Sequence, residues 1–252
     1  MSLRLGSILL LALLLAGQRA AWAQVTAGAS PGLNAALVRL FGGHTGFSAQ
    51  LDLRMLDAQT NETLHAPMQF SLLDSKMRGD LDVTRLKSKD LPAMAASAAK
   101  SVGMDRVVTL VRPDKRESYL VYPSFQACVV APLDADEIAA LQKPAKIVRT
   151  PLGRQAVDGQ PCIKYRVVVT EPDGRQHQAV VWTATQMKDF PLRIETRDGA
   201  DTIVMQFRQV KLERPDAGLF ELPKGTIRYD DPKELTTAVM KKLIGQALGN
   251  GK

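Results

Sequence analysis

Apolar and polar side chains alternate along most of the chain, and this period of two residues predicts β-strands. The clearest case is residues 46–56, GFSAQLDLRML, where serine, glutamine, aspartate and arginine separate the apolar positions. Those apolar positions are Phe47, Ala49, Leu51, Leu53 and Met55. One apolar and one polar face are typical of a strand in an antiparallel sheet that covers a core on one side.

Ten more segments have the composition of strands, and turn signals such as Asp158-Gly159 and Asp173-Gly174 lie between them. They are residues 68–73, 77–83, 106–111, 118–122, 127–130, 146–150, 162–170, 177–184, 192–196 and 202–212. So many short strands predict a mainly β chain of the α+β class, with one antiparallel sheet in meander order. A sheet of this size curls rather than staying flat, so we expect a strongly curved or partly closed sheet.

Helical patterns interrupt the strands in four places. The segments are residues 33–41, 91–102, 134–141 and 232–248. The last helix has the clearest start, because Asp231 suits the N-cap and Pro232 suits the first helical position. Asp134 is expected to cap the third helix in the same way.

The N-terminal residues have the three-part pattern of a secretory signal peptide. Arg4 precedes an apolar run over residues 8–15, and Ala21-Trp22-Ala23 offers a cleavage site after Ala23. The run is too short for a transmembrane helix, which needs about 20 apolar residues, and no later segment reaches that length. We therefore expect an exported protein, periplasmic or secreted, without a stable transmembrane anchor.

The charge of the chain is modestly basic, with a formal net charge of +7. The lysines and arginines are scattered, which is typical of a solvated surface of mixed charge. An affinity for anionic lipid headgroups is the alternative interpretation. Nucleic-acid binding is not expected, because no basic stripe is interleaved with aromatic residues.

Two cysteines, Cys128 and Cys162, are the only ones in the chain. An even number in an exported protein favours a disulfide between them, which would stabilise the fold by roughly 3–4 kcal/mol in the chain-entropy model. A catalytic thiol is disfavoured because no histidine lies near Cys162 in the sequence. A zinc site would need closely spaced cysteine and histidine pairs, which are absent from the sequence. Two free, buried thiols are the other alternative.

Motifs that carry chemistry are missing from the sequence. His44, His65 and His177 lie in separate segments, and there is no GxSxG motif, phosphate-binding glycine loop or EF-hand pattern. The sequence therefore predicts no catalytic residue, no metal site and no cofactor, and we interpret the chain as a non-enzyme.

Several motifs of the second half together resemble a known family. They are Asp158-Gly-Gln-Pro-Cys162, Val181-Trp-Thr-Ala184, Asp189-Phe-Pro-Leu192, Gln209-Val-Lys211, Pro215-Asp-Ala217 and Leu219-Phe-Glu-Leu-Pro-Lys-Gly225. Over residues 115–232 the chain is similar to an exported bacterial family of unknown function, related to the LolA/LolB lipoprotein-carrier superfamily. No cysteine directly follows the predicted cleavage site, so the chain departs from the membrane-anchored acceptors of that superfamily. No arginine aligns with the one that holds the carrier's lid closed.

The resemblance implies an unclosed antiparallel half-barrel whose apolar concave face is covered by helices. We expect a signal peptide over 1–23, a flexible start and short helix over 24–43, the half-barrel domain over 44–231 and an amphipathic helix over 232–252. In the carriers the concave face takes the acyl chains of lipoproteins. The corresponding ligand-binding residues would come from the apolar faces of the first strands and of the tryptophan strand. They are Leu51, Leu53, Met55, Phe70 and Trp182.

Two functions from different classes follow from this pattern. The first is an exported binding protein that holds a lipid, a lipoprotein acyl chain or another hydrophobic ligand on the concave face. The alternative is a structural or interaction module of the envelope, with a protein partner and a cavity permanently filled by side chains.

Overall fold

The computed structural model describes residues 33–249, apart from residues 90, 92–94, 102, 144 and 172. The signal peptide predicted over 1–23 and residues 24–32, the flexible start of the segment predicted over 24–43, lie outside the described residues. Mass spectrometry of the exported protein remains the direct test of cleavage after Ala23.

Among the described residues, thirteen strands form a single sheet. They are β1 (Gly46–Leu56), β2 (Glu62–Leu73), β3 (Lys76–Asp82), β4 (Lys87–Ser88), β5 (Arg106–Arg112), β6 (Glu117–Tyr122), β7 (Ala127–Pro132), β8 (Lys146–Arg154), β9 (Cys162–Thr170), β10 (Gln176–Ala184), β11 (Phe190–Asp198), β12 (Asp201–Lys211) and β13 (Ile227–Tyr229). The order across the sheet is β13-β7-β6-β5-β3-β2-β1-β12-β11-β10-β9-β8, and β4 pairs with β2 beside this path. The described chain is thus mainly β, with one large, curved and unclosed sheet, as predicted.

The predicted antiparallel meander order is wrong at two connections. The link from β12 leads to β13 at the far edge, where β13 pairs parallel with β7, and the link from β7 to β8 also crosses the sheet. Strands β1 to β7 and strands β8 to β12 form two separate runs, and the runs meet where β1 pairs antiparallel with β12. The link between β7 and β8 therefore joins opposite sides of the sheet. Short turns predict which strands follow one another, whereas the β1–β12 pair joins distant parts of the sequence and has no local signal.

Four α-helices accompany the sheet within the part of the chain that the structure describes. They are α1 (Leu33–Leu40), α2 (Ala95–Ser101), α3 (Ala135–Gln142) and α4 (Pro232–Gly249). The predicted start of α4 is confirmed, because the Lys233 amide donates to Asp231 Oδ1 at 2.8 Å. Asp134 occupies the N-cap position of α3, but its side chain makes no capping hydrogen bond, contrary to our expectation.

Strand register defines the two faces of the sheet. Leu51 pairs with Met68 of β2 and with Phe207 of β12, and Met68 pairs in turn with Leu81 of β3. Paired residues point to the same side, so these side chains share one face, which we call the apolar face. Their neighbours in sequence, such as Asp52, lie on the opposite, polar face.

Two hydrophobic clusters lie mainly on the apolar face, although the larger one includes Trp182 of the opposite face. The larger one is centred on β1, β2 and β9–β12, and Leu37 and Leu40 of α1 pack against it. The second joins Val107 of β5 to Leu235 and Val239 of α4. Helix contacts with the apolar face are found at these two places, and a helical cover over a whole concave face stays a prediction.

A segment that follows β12 crosses the polar face, and Arg112 of β5 holds it there. The Arg112 guanidinium donates to the Phe220 carbonyl at 2.6 Å and pairs with Glu221 at 2.7 Å. It also donates to both carboxylate oxygens of Asp114, at 2.9 and 2.7 Å. A third cluster, formed by polar-face residues of β5–β7 with Leu222 of the segment, lies beside this contact.

Acid sensitivity is expected at this contact. The hydrogen bond from Arg112 lowers the pKa of Asp114 from 3.8 to about 2. A carboxyl group whose pKa is lower in the folded state contributes stability above pH 4, and that stability is lost as the pH falls toward 2. Urea unfolding of the protein and of the Asp114→Asn variant, at pH 5 and at pH 2.5, measures this loss of unfolding free energy. The original protein should lose more stability than the variant, and equal losses would contradict the prediction.

Candidate ligand-binding face

Strands β1 and β2 bring together four of the five residues predicted to bind a ligand. Leu51, Leu53 and Met55 alternate along the apolar face of β1. Phe70 lies on the same face of β2, opposite Ala49. Leu51 and Phe70 are buried, whereas Leu53 and Met55 are half-buried.

Five phenylalanine rings close one part of the apolar face. They are Phe41, Phe47, Phe70, Phe190 and Phe207, and we call them the phenylalanine cluster. Ring centroids of Phe47 lie 4.7 Å from Phe41, 4.8 Å from Phe190 and 5.7 Å from Phe70. At these tilted and edge-to-face distances the rings fill the space among them, and side chains already occupy the site a ligand would need there.

A strip beside the phenylalanine cluster is less enclosed. It consists of Leu53, Met55 and Met68, which pack against the larger hydrophobic cluster and remain half-buried. Met68 lies over Gly79 of β3, where an added Cβ would come within 3.4 Å of the methionine sulfur. Methionine adapts its shape to different neighbours, so the strip can contact a second apolar surface without disrupting the core.

Beyond the strip the apolar face is covered again, by the second cluster. Leu235 and Val239 of α4 pack with Val107, Tyr122 and Ala127. Burial raises the pKa of Tyr122 to about 12, so its hydroxyl stays uncharged at neutral pH. The half-buried strip thus lies between two covered regions.

Trp182, the fifth predicted residue, is on the other face of the sheet. It pairs with Lys164 of β9 and Arg193 of β11, and Arg193 pairs with Gln206, the partner of Asp52. The Lys164 ammonium lies 4.6 Å from the Trp182 ring centroid, and the indole Nε1 donates to Gln155 at 3.0 Å. Trp182 is therefore not part of the half-buried strip.

The two cysteines are free and buried in the structure, so the predicted Cys128–Cys162 disulfide is not formed there. Cys128 is in β7 and Cys162 is in β9, and eight other strands lie between these two in the sheet order. The side chains also belong to different hydrophobic clusters. Burial raises the pKa of both thiols, which disfavours the reactive thiolate form.

Helix α1 is fixed to the sheet by a buried ion pair. Arg39 Nη2 lies 3.2 Å from Glu171 Oε2 at the end of β9, and the Glu171 side chain is only 1% exposed. The same nitrogen donates to the Lys143 carbonyl at 2.7 Å, just after α3. These bonds join α1, α3 and the sheet beside the phenylalanine cluster.

A network of polar and charged side chains on the polar face was not predicted from the sequence. Asp52 accepts hydrogen bonds from His65 and, at 2.6 Å, from Arg208, which also donates to Asp158 at 2.7 Å. Burial raises the pKa of Asp52, but the hydrogen bonds from His65 and Arg208 outweigh it and the pKa lies below its usual value. The network borders a cavity of about 470 Å³ lined by charged side chains, including Asp80. Pairing between distant strands brings these residues together, so their spacing in the sequence does not predict the network.

Within the described residues, no helix has the length and apolar character needed to cross a membrane. No protein-family model matches the chain, and no curated protein is similar enough in sequence to match it.

Solved structures resemble the chain at low sequence identity. LppX, a lipoprotein of Mycobacterium tuberculosis, has a TM-score of 0.38 and 12% identity, over 74% of this chain and 99% of LppX. A LolA superfamily protein of Nitrosomonas europaea has a TM-score of 0.35 and 12% identity, over 73% of this chain and 93% of that protein. A DUF1329 family protein of Desulfovibrio piger has a TM-score of 0.32 and 10% identity, over 76% and 95% of the two chains. The structural neighbours thus include the superfamily that the sequence motifs resemble, together with a family of unknown function.

Proposed function

We propose that the protein binds a hydrophobic ligand, of the kind represented by an acyl chain, on the apolar face of its sheet. The half-buried strip of Leu53, Met55 and Met68 is the contact surface in this proposal. We also propose that the protein is exported and acts outside the cytoplasm, as its predicted signal peptide requires.

The observation that carries the proposal is the position of the strip. Leu53, Met55 and Met68 are apolar and partly exposed on a face that is otherwise covered at both ends. A partly exposed apolar surface beside a core gains free energy when a second apolar group covers it. A flexible hydrocarbon chain matches the elongated shape of three side chains on two neighbouring strands.

The sequence resemblance to lipoprotein carriers supports the same chemical class of ligand. Leu51 and Phe70 would form the floor beneath the strip, since both are buried at 6% and 7% exposure. They would support the ligand site from below without extensive contact with the ligand.

Charge placed on the strip should abolish binding. We expect Met68→Glu to weaken binding of a fluorescent fatty acid by at least about tenfold, because the ligand would bury an unpaired carboxylate. Gln69→Glu is the matched control, since it adds the same charge at the next position, on the exposed polar face. Fluorescence titration measures affinity, and thermal unfolding confirms that both variants are folded.

Two results would contradict the proposal. One is an absence of fatty-acid binding by the original protein, together with native mass spectra free of any co-purified ligand. The other is equal binding by the Met68→Glu and Gln69→Glu variants, which would place the ligand elsewhere.

The packing of the phenylalanine cluster favours a second candidate function. Five rings already fill that part of the apolar face, as expected for a module whose interior is permanently occupied. Such a module would act through a protein partner in the envelope. Crosslinking in cells, combined with ligand-free native mass spectra, would support it, whereas a bound lipid and no crosslinked protein would argue against it.

A further inference from the structure

Strand β8 forms one edge of the sheet and is open along its whole length. It contains nine residues, all of them exposed, and within the described chain it pairs only with β9. Ile147 and Val148 are 39% and 46% exposed, and as neighbours in a strand they lie on opposite faces. The outer side of β8 thus presents unpaired backbone groups flanked by apolar side chains, which is a template for another strand.

The opposite edge of the sheet is much shorter and is partly covered, although Ile227 is 56% exposed there. Strand β13 has three residues, and α4 follows it directly. Tyr229 of β13 packs into the same cluster as Leu235 of α4. The long open edge is therefore a property of β8 rather than a general feature of the sheet.

The charge along β8 has one sign. Residues 143–156 contain Lys143, Lys146, Arg149 and Arg154 and no aspartate or glutamate. Opposite charges on facing positions of neighbouring strands stabilise pairing, and like charges oppose it. An added strand with acidic side chains would meet favourable partners at Lys146 and Arg149.

Charge repulsion also disfavours two other strands at the β8 edge, namely β8 of a second copy and the N-terminal residues of the chain itself. An antiparallel pairing of two β8 strands centred on Thr150 sets Lys146 against Arg154, and one centred on Arg149 sets that residue against itself. The chain's own residues 1–32 contain Arg4 and Arg19 and no acidic residue. Charge complementarity therefore favours a strand from another protein.

We propose that residues 146–150 of β8 are a docking site for an extended acidic segment of a partner protein, which adds a strand to the sheet. The pairing of β8 with β9 is regular over this stretch, and the register shifts only between Pro151 and Gly153. Backbone hydrogen bonds would supply affinity, and Lys146 and Arg149 would select acidic side chains. Four strands separate β8 from β1 in the sheet order, so this edge site is distinct from the ligand site proposed for the apolar face.

A synthetic peptide of alternating glutamate and valine tests the proposal. In fluorescence anisotropy it should bind the original protein, and the double charge reversal Lys146→Glu with Arg149→Glu should weaken binding by at least about tenfold. The same double variant should gain binding of the matching lysine–valine peptide. Lys211→Glu with Lys224→Glu is the control, because it changes the net charge equally at exposed positions far from β8 in the sheet or outside it.

A second measurement separates strand addition from simple charge attraction. Methylation of alternate peptide nitrogens removes the backbone donors and should abolish binding, while hydrogen exchange of the protein slows over residues 146–150 when the unmodified peptide binds. No binding by the original protein would show that Pro151 and the basic side chains block this edge, and would overturn the proposal. Equal binding of the methylated peptide, or equal binding by the two double variants, would overturn it as well.

Discussion

Replacement of Arg112 by alanine is expected to lower the free energy of unfolding by about 1.5–3 kcal/mol, the range found when hydrogen bonds to a charged group are removed and a buried acceptor is left unpaired. The Arg112 side chain is 5% exposed and contacts Asp114, Glu221 and the Phe220 carbonyl. Its loss leaves the carbonyl without this donor and loosens the segment that crosses the polar face, which is also held by the hydrogen bond from Arg78 to the Leu219 carbonyl. Urea unfolding followed by circular dichroism measures the change.

Arg106→Ala is the matched control for this experiment. Arg106 is on the same face of β5, but it is 64% exposed and lies 3.4 Å from Asp80. An exposed pair of this kind contributes at most about 1 kcal/mol. Similar losses in both variants would show that the Arg112 contacts do not anchor the segment. Arg112→Lys should recover only part of the loss, because an ammonium group cannot reproduce the two parallel bonds to Asp114.

Truncation of Phe47 to alanine is the other change with a large expected effect, about 3–5 kcal/mol of unfolding free energy. The Phe47 ring is fully buried at the centre of the phenylalanine cluster, where it contacts four other rings. The cavity left behind could collapse only if those rings moved. Thermal and urea unfolding measure the loss, and Phe47→Leu should cost considerably less because it keeps most of the buried volume.

Met55→Ala provides the comparison for Phe47→Ala. Both residues lie on the apolar face of β1, but Met55 is half-buried and belongs to the strip. Its truncation should cost less stability than that of Phe47 while weakening fatty-acid binding. If the Phe47→Ala variant were as stable as the original protein, the phenylalanine cluster would not be a packed core.

Local patterns in the sequence predicted the elements that depend on local physics. Alternation placed Leu51, Leu53 and Met55 on one face, because a strand with one solvated face repeats every two residues. Asp231 marked the start of α4, because the cap needs only residues that adjoin the helix. Thus most strands and the apolar side of β1 could be predicted without a structure.

Trp182 shows where the same pattern fails. Residues 181–184 of β10 are all buried, so both faces of the strand are covered there and alternation no longer identifies a face. The prediction of a disulfide was wrong for a different reason. An even number of cysteines and an oxidising compartment carry no information about the distance between the two strands that hold them. The network around Asp52 depends on pairing between β1 and β12, which no local pattern encodes.

The junction of β1 with β12 also determines the order in which the sheet can be completed. Asp52 and its partner Arg208 are 156 residues apart, and every pair along this junction has a similar separation. At a synthesis rate of about 5–20 residues per second, the β12 edge of β1 waits roughly 8–30 s for its partner. During that time the first seven strands can already pair among themselves, and β1, which is central in the finished sheet, forms the unpaired outer edge of that group. An unpaired edge of this kind can template wrong strand pairing, and in the finished sheet the same edge of β1 is covered by β12.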